Sequence, residues 1–267
     1  MFQGLSKGKT LENLQSKLSA FKIPPLFVFE CRQYSFNAEE IHEKIQELFN
    51  GRPIVVRSSA RDEDNVHQSF AGEYESVLNV SSTDISSVAD AISIVIKSYS
   101  QKREANGEDE VIIQEMVVDS CMSGVVFTHD LNTGAPYYVI NYDDVSGLTD
   151  TVTSGGGEYS NRTLYVHRNA LPDLRSDRFH SLIEAVEELE SVMGSQFLDI
   201  EFALGQDYTP YLLQVRSITT QPNWNRAVSK RIDKALAGIQ AFVLHRMKPT
   251  KHVYGETTVL GQMPDWN

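Results

Sequence analysis

Two short apolar runs late in the chain carry polar side chains at alternate positions. They are Asp199 and Glu201 in "LDIEF", and Gln214 and Arg216 in "LLQVR". Strands alternate faces with a period of two. Asp199 and Glu201 therefore project to one side while Leu198, Ile200 and Phe202 turn to a core. Gln214 and Arg216 share a side, opposite Leu213 and Val215. If the runs pair antiparallel about the turn "GQDYT", Glu201 falls opposite Gln214 and Asp199 opposite Arg216. Carboxylates on a rigid strand are hard-oxygen ligands suited to Mg²⁺, which takes one or two acids plus substrate phosphates. Arg216 could hold the same phosphates through paired hydrogen bonds. A solvated, salt-bridged sheet face accounts for the same four residues.

A second stretch poses a similar choice. "IVVRSSARDEDNVHQSFAGEYESVLNV" delivers Arg57, Ser58 and Ser59 at the end of an apolar run, then a polar loop and Ser69-Phe70-Ala71-Gly72. Arg57 and Ser58 read as a strand-end cap or as a phosphate clamp. Ser69 to Gly72, with Ser76 beyond, could cradle an anion through backbone N–H groups, as any glycine turn could. Lys7 reads as a solvated lysine and Gly155 to Gly157 as a mobile loop. None of the seven histidines sits in metal-ligand spacing or a catalytic context, and no Ser/His/Asp or Cys/His arrangement is evident.

These residues need elements to position them. A helix is expected from about Thr10 to Phe21, then "KIPPLFVFE", a Pro-Pro turn into a strand. Asn37 with Glu40 three residues on resembles a capping box, and Ile41, Ile45 and Leu48 follow at helical spacing. "PIVV" is a short buried strand ending at Arg57. Ser82 to Tyr99 reads as a second amphipathic helix, and the polar "SQKREANGEDE" marks a subdomain boundary. From Val111 the texture becomes β-rich: "VIIQEMVV" and "SGVVFTHD" are strands, and "NTG" turns the latter into "APYYVINYD" as a hairpin. Ser176 can cap a helix stopped by Gly194. Helical spacing returns after Pro222.

Composition excludes several classes. The 267 residues suffice for one large domain or two modest ones. Net charge is −12, from 24 Lys and Arg against 36 Asp and Glu, which argues against a nucleic-acid partner. It leaves nucleotides open, since a few placed cations and Mg²⁺ can hold phosphates in an acidic protein. Apolar runs are too short to span a bilayer, so no membrane partner is expected. The N-terminus lacks a signal peptide's apolar stretch. Cys31 and Cys121 read as idle thiols in a reducing, cytoplasmic setting.

The order of these pieces is itself a signature. "KGKTL", "IPPLFVF", "VVRSSARDED", "SFAGEYESVLNV", "VIIQEMV", "SGVVFTHDLNTG", "LDIEFAL" and "YLLQVRSITTQ" run in one series from about Ser6 to Thr220. The series resembles the N-terminal nucleotide-binding half of the phosphoenolpyruvate synthase and pyruvate phosphate dikinase family. The resemblance implies an α+β ATP-grasp fold: subdomains at 1–110 and 111–221 with the nucleotide cleft between them, and a helical extension and linker at 222–267. It implies ATP and Mg²⁺ as cofactors. Lys7 matches the lysine that reaches the phosphates, and Arg57 the arginine that grips the transferring phosphate, with Ser58 beside it. Gly72 and Ser76 match the phosphate-covering loop, where many relatives have Thr in place of Ser76. Gln114, Met116 and Val117 match the hinge beside adenine. Glu201 matches the metal-linked acid with Asp199 its neighbour, and Gln214 and Arg216 the phosphate-side pair.

In this family the phosphoryl group passes to a histidine on a separate swivelling domain, within a Gly-Gly-x-Thr/Ser-x-His-like motif that does not occur here. The resemblance therefore implies a piece of a longer phosphotransferase. Its partners would be downstream phosphohistidine and acceptor domains of the same polypeptide and a small-molecule acceptor. The start and the "GETTVLGQMPDWN" end look closest to shortened relatives linked to surface-polysaccharide modification, including L-glutamine kinases that phosphorylate the side-chain amide. A pyruvate-directed enzyme, an antibiotic phosphotransferase and a non-catalytic sensor or scaffold are the alternatives.

Overall fold

The computed structural model describes residues 4–60, 75–102, 107–146, 162–218, 227–247, 249 and 251–252. Helix α1 (Lys7–Leu14) precedes strand β1 (Leu26–Glu30), helix α2 (Cys31–Phe49), strands β2 (Pro53–Ser59) and β3 (Ser76–Ser81), helix α3 (Ile85–Lys102) and strand β4 (Glu110–Glu115). The four strands form an antiparallel sheet in the order β1-β4-β2-β3. One face is apolar: Ile54, Val56, Val111 and Ile113 pack with Ile41, Ile45 and Phe49 of α2 and Val88, Ile92 and Val95 of α3. By alternation, Val55, Arg57, Ser59, Ile112 and Gln114 face the other way.

Local chemistry explains the helix boundaries. The cap expected at Asn37 is a kink inside a longer helix: Asn37 has φ −130° and ψ 36°, and its Nδ2 donates to Glu40 Oε2 at 3.3 Å. The helix starts earlier, where Gln33 Oε1 accepts from the Glu30 N–H at 2.9 Å. α3 begins where Asp84 Oδ1 accepts from the N–H groups of Ser86 and Ser87. α1 is shorter than its sequence spacing predicts. The carboxylate of Glu188 accepts from the N–H groups of Ser19 and Ala20, donors that a continuing helix would have used.

The second sheet is built from β5 (Met122–Phe127), β6 (Tyr137–Asp143), β7 (Arg162–His167), β8 (Leu198–Leu204) and β9 (Pro210–Ser217), in the antiparallel order β7-β6-β5-β8-β9. Helix α4 (Asp177–Met193) covers it, with Phe179, Leu182, Ile183, Val186 and Leu189 against Val126, Ile140, Ile200, Phe202, Leu212 and Val215. It ends at Gly194, in the left-handed region at φ 67°. The hairpin of β5 and β6 forms as the "NTG" turn predicts. The edge strands β3 and β7 have no clean alternation, and only pairing to a neighbour reveals them. The β-rich texture begins at Val111, yet β4 belongs to the first sheet, so the change of sheet follows Glu115.

α1 belongs to both layers. Leu11 and Leu14 enter the core of the second sheet. Gly8 lies against the first: a Cβ there would sit 2.8 and 2.9 Å from the Val28 methyls and 3.1 Å from Ile112. Only glycine lets the helix approach that closely. Among the described residues, 131–135 and 227–247 fall in a separate unit, in which helix α5 (Val228–Arg246) leaves Ile239, Phe242 and Leu244 exposed. Among the described residues, no helix is long and apolar enough to cross a membrane.

Candidate functional site

The site forms where the polar face of β2 meets the hairpin of β8 and β9. That hairpin has the expected register, with Glu201 opposite Gln214 and Asp199 opposite Arg216. It reaches this register by an irregular route. Leu204 pairs with Pro210 next to the turn, and counting on regularly would set Leu213 opposite Glu201, with Gln214 turned into the core. A β-bulge takes up the odd residue, so Leu212 pairs with Phe202 and Gln214 with Glu201. The expectation that Leu213 joins Val215 on the core side is corrected here. Leu212 and Val215 occupy the core, and Leu213 is the extra residue.

The bulge has a use. Arg57 crosses from the first sheet, its Nη1 donating to the Leu213 carbonyl at 3.3 Å and its Nη2 to Gln214 Oε1 at 3.1 Å and Glu201 Oε2 at 2.5 Å. Beside it, Arg216 holds Asp199 Oδ2 from Nε at 2.6 Å and Nη2 at 2.5 Å. Lys7, buried in the first turn of α1, adds a third positive charge that acts on both carboxylates. Burial pushes the Glu201 carboxyl up, but Arg57, then Lys7 and Arg216, outweigh it and hold Glu201 below the usual carboxylate range. For Asp199 burial wins over Arg216, with the Glu201 charge adding to it, and its carboxyl is raised. One strand face thus holds two carboxylates with opposite perturbations.

Asp199 and Glu201 stand two residues apart on one face, each held by an arginine through a single oxygen. Such a pair fits a divalent ion that arrives with phosphate oxygens of its own. Among the described residues, no group of three or more His, Cys, Asp or Glu could hold a metal without that help.

The other predicted residues fall in different places. Ser76 is exposed and pairs with Arg57 across β2 and β3. Gly72 lies outside the described residues. Gln114 is buried on the same sheet face as Arg57, and its Nε2 has no partner among the described residues. A buried amide in that state has a donor still to be satisfied. Met116 follows β4, with its N–H donating to the Pro53 carbonyl at 2.9 Å and its Sδ accepting from the Asn79 N–H at 3.1 Å; Val117 is next and half-buried. Ser58 is not brought to the cluster. It pairs with Val111 and alternates to the face away from Arg57. Ser59 is the serine on Arg57's face, and its Oγ accepts from the Gly8 N–H at 3.1 Å. Period-two alternation from Arg57 was the signal that distinguishes them. Glu110, also at this contact, had no signal in the sequence.

Two antiparallel sheets with helices on their outer faces and a charged contact between them make this an α+β protein of the ATP-grasp fold. The chain belongs to the family described as pyruvate phosphate dikinase, AMP/ATP-binding domain, whose model matches residues 9–175. The prodigiosin synthesizing transferase PigC of Serratia marcescens is 29% identical over 219 residues, covering 68% of this chain and 24% of PigC. The uncharacterized phosphotransferase YvkC of Bacillus subtilis (strain 168) is 28% identical over 234 residues, covering 70% of this chain and 27% of YvkC. The chain spans about a quarter of the length of the curated relatives it matches. Among solved structures, D-alanyl-alanine synthetase A of Vibrio cholerae aligns over 85% of this chain and 59% of its own, at 18% identity and a TM-score of 0.45. The family makes this chain an AMP/ATP-binding domain.

Proposed function

We propose that the contact between the two sheets binds ATP with Mg²⁺ and presents a phosphoryl group for transfer. The observation that carries this reading is Arg57, which leaves one sheet to hold Glu201 and Gln214 of the other. Phosphoryl transfer is mainly positioning and charge stabilisation. Lys7, Arg57 and Arg216 supply positive charge at one point, and phosphate oxygens compete with Glu201 and Asp199 for the two guanidinium groups. Asp199 and Glu201 would hold Mg²⁺, which would neutralise charge on the phosphate oxygens. Gln214 orients Arg57, and Ser76, exposed beside Arg57, serves the phosphate end. The buried amide of Gln114, with the backbone of Met116 and Val117, holds the adenine end. The two ATP-grasp subdomains and the 222–267 extension serve as the division of labour.

Isothermal titration with a non-hydrolysable ATP analogue and Mg²⁺ tests the assignment. Saturable binding is expected, weakened by Glu201→Ala and by Arg216→Ala. Unchanged binding in both variants would remove the site.

On this reading the phosphoryl group goes next to a histidine of another domain of the same polypeptide, then to a small-molecule acceptor. The roughly fourfold greater length of the relatives supports further domains. The amide of L-glutamine is the first acceptor to test and pyruvate the second. AMP release by the intact enzyme, dependent on one of the two, identifies the acceptor and shows that the β-phosphoryl is used.

A further inference from the structure

Lys7 is held in place by a feature that the phosphate chemistry does not itself require. The first turn of a helix leaves N–H groups without intrahelical partners. In α1 two of them are taken by serines: the Lys9 N–H by Ser6 Oγ at 3.2 Å, and the Gly8 N–H by Ser59 Oγ at 3.1 Å. Both serine hydroxyls then donate to one oxygen, Oε2 of Glu110. Ser59 does so at 3.4 Å, and Ser6 makes a short contact. Glu110 is 3% exposed, at the start of β4 and opposite Ser59 in the ladder. Its own carbonyl accepts from Tyr99 Oη at 2.6 Å, and Tyr99 Oη accepts from the Ser59 N–H at 2.8 Å. The carboxylate thus collects the N-terminal turn of α1 through two relays, β2 and β4 being fixed to each other at the same spot. A negative charge at a helix N-terminus is also favoured by the helix dipole. Lys7 lies between the two relays, flanked by Ser6 and Gly8.

We infer that Glu110, acting through Ser6 and Ser59, is a positioning residue for Lys7: it sets where α1 presents the lysine to the phosphates. Glu110 touches no nucleotide. The inference rests on the reading of Lys7 as a phosphate-binding lysine. A buried charge with two hydroxyl donors would in any case contribute to stability. What separates positioning from mere stability is that loss of Glu110 should fall on the phosphate end of the nucleotide alone.

The test uses the 267-residue chain. ATP affinity is measured by calorimetry and adenosine affinity by ligand-observed NMR, for Lys7→Ala, Glu110→Gln and the double variant. Losing a charged hydrogen-bond partner corresponds to about a 10- to 100-fold loss of ATP affinity for Lys7→Ala. Glu110→Gln should give about 10-fold, with adenosine changed by no more than about twofold in either. In the double variant Glu110→Gln should add nothing to Lys7→Ala, because both act on one contact. Ser6→Ala, expected to give a smaller loss in the same direction, carries the cycle if Glu110→Gln does not fold. Unchanged ATP affinity, a parallel loss of adenosine, or additive losses in the double variant would each overturn the inference. If Lys7→Ala itself leaves ATP affinity unchanged, the phosphate-lysine reading falls first and this inference with it.

Discussion

Two arginine–carboxylate pairs in this protein share their chemistry and differ in kind. Arg168 grips Glu190 with both Nη atoms, at 2.7 and 2.6 Å, donates also to the Thr128 carbonyl at 3.1 Å, and lies 4.6 Å from the Tyr138 ring centroid. Its partners all belong to the second sheet and the helix that covers it. The pair is closed, with side-chain exposures of 15% and 7%, and the protein itself supplies both carboxylate oxygens with donors. Arg57 instead meets Glu201 through one nitrogen and one oxygen, shares that nitrogen with Gln214, and joins two sheets. Exposures of 19% and 22% leave that pair reachable by solvent. Two more cations, Lys7 and Arg216, and a second carboxylate, Asp199, stand beside it. Charges that are saturated within one layer hold a fold together; charges gathered between layers and held by exchangeable single contacts suit a charged ligand.

Substitutions can break this comparison. Arg168→Ala leaves Glu190 buried without its cation, and a loss of about 3–5 kcal/mol is expected in denaturant melts. The folded fraction should bind ATP unchanged. Arg57→Ala should do the opposite: ATP–Mg²⁺ affinity falls about 100-fold by calorimetry, with a stability change on the order of 1 kcal/mol. If the two variants exchanged these signatures, the distinction drawn between the pairs would be wrong.

Two smaller effects sharpen it. Gly8→Ala puts a methyl into the stiff Val28 side chain, at a cost of about 1–3 kcal/mol. Because the clash lifts α1 from the first sheet, ATP affinity should fall along with stability, whereas Arg168→Ala lowers stability alone and Arg57→Ala chiefly affinity. The last test is of pH. Burial, then the charge of Arg168, pushes His129 down to about 4. The ring is neutral in the fold and protonates near pH 6.5 when unfolded. A lowered pKa stabilises the fold above pH 6.5, and that contribution is lost as pH falls from about 6.5 toward 4. On the order of 1 kcal/mol is expected for a ring that solvent partly screens. His129→Gln should flatten this part of the stability profile, and a profile unchanged by the substitution would show that His129 is not buried beside Arg168.

Much of the site could be read before folding. Alternation set Asp199 with Glu201 and Gln214 with Arg216, while their pairing across the hairpin depends on the bulge at Leu213. Ser59 could have been preferred to Ser58 by the same rule. The Leu213 bulge could not, because a strand's period shows which residues share a face and not where an odd residue is absorbed. Glu110 carried no signal for a similar reason: a glutamate at the start of an apolar strand is ordinary until Ser6, 104 positions away, is known to touch it. The early end of α1 was equally hidden, since its competitor, Glu188, lies on α4.

By itself the sequence determined most of the elements, the ordered motifs and hence the family, because alternation, helical spacing and turn chemistry are local properties of neighbouring residues. Only the tertiary structure decided that Arg57 reaches Glu201, that a bulge carbonyl receives it, and that α1 is pressed between two sheets at Gly8. Those facts depend on how layers pack, and packing brings together residues whose separation along the chain gives no hint of their contact.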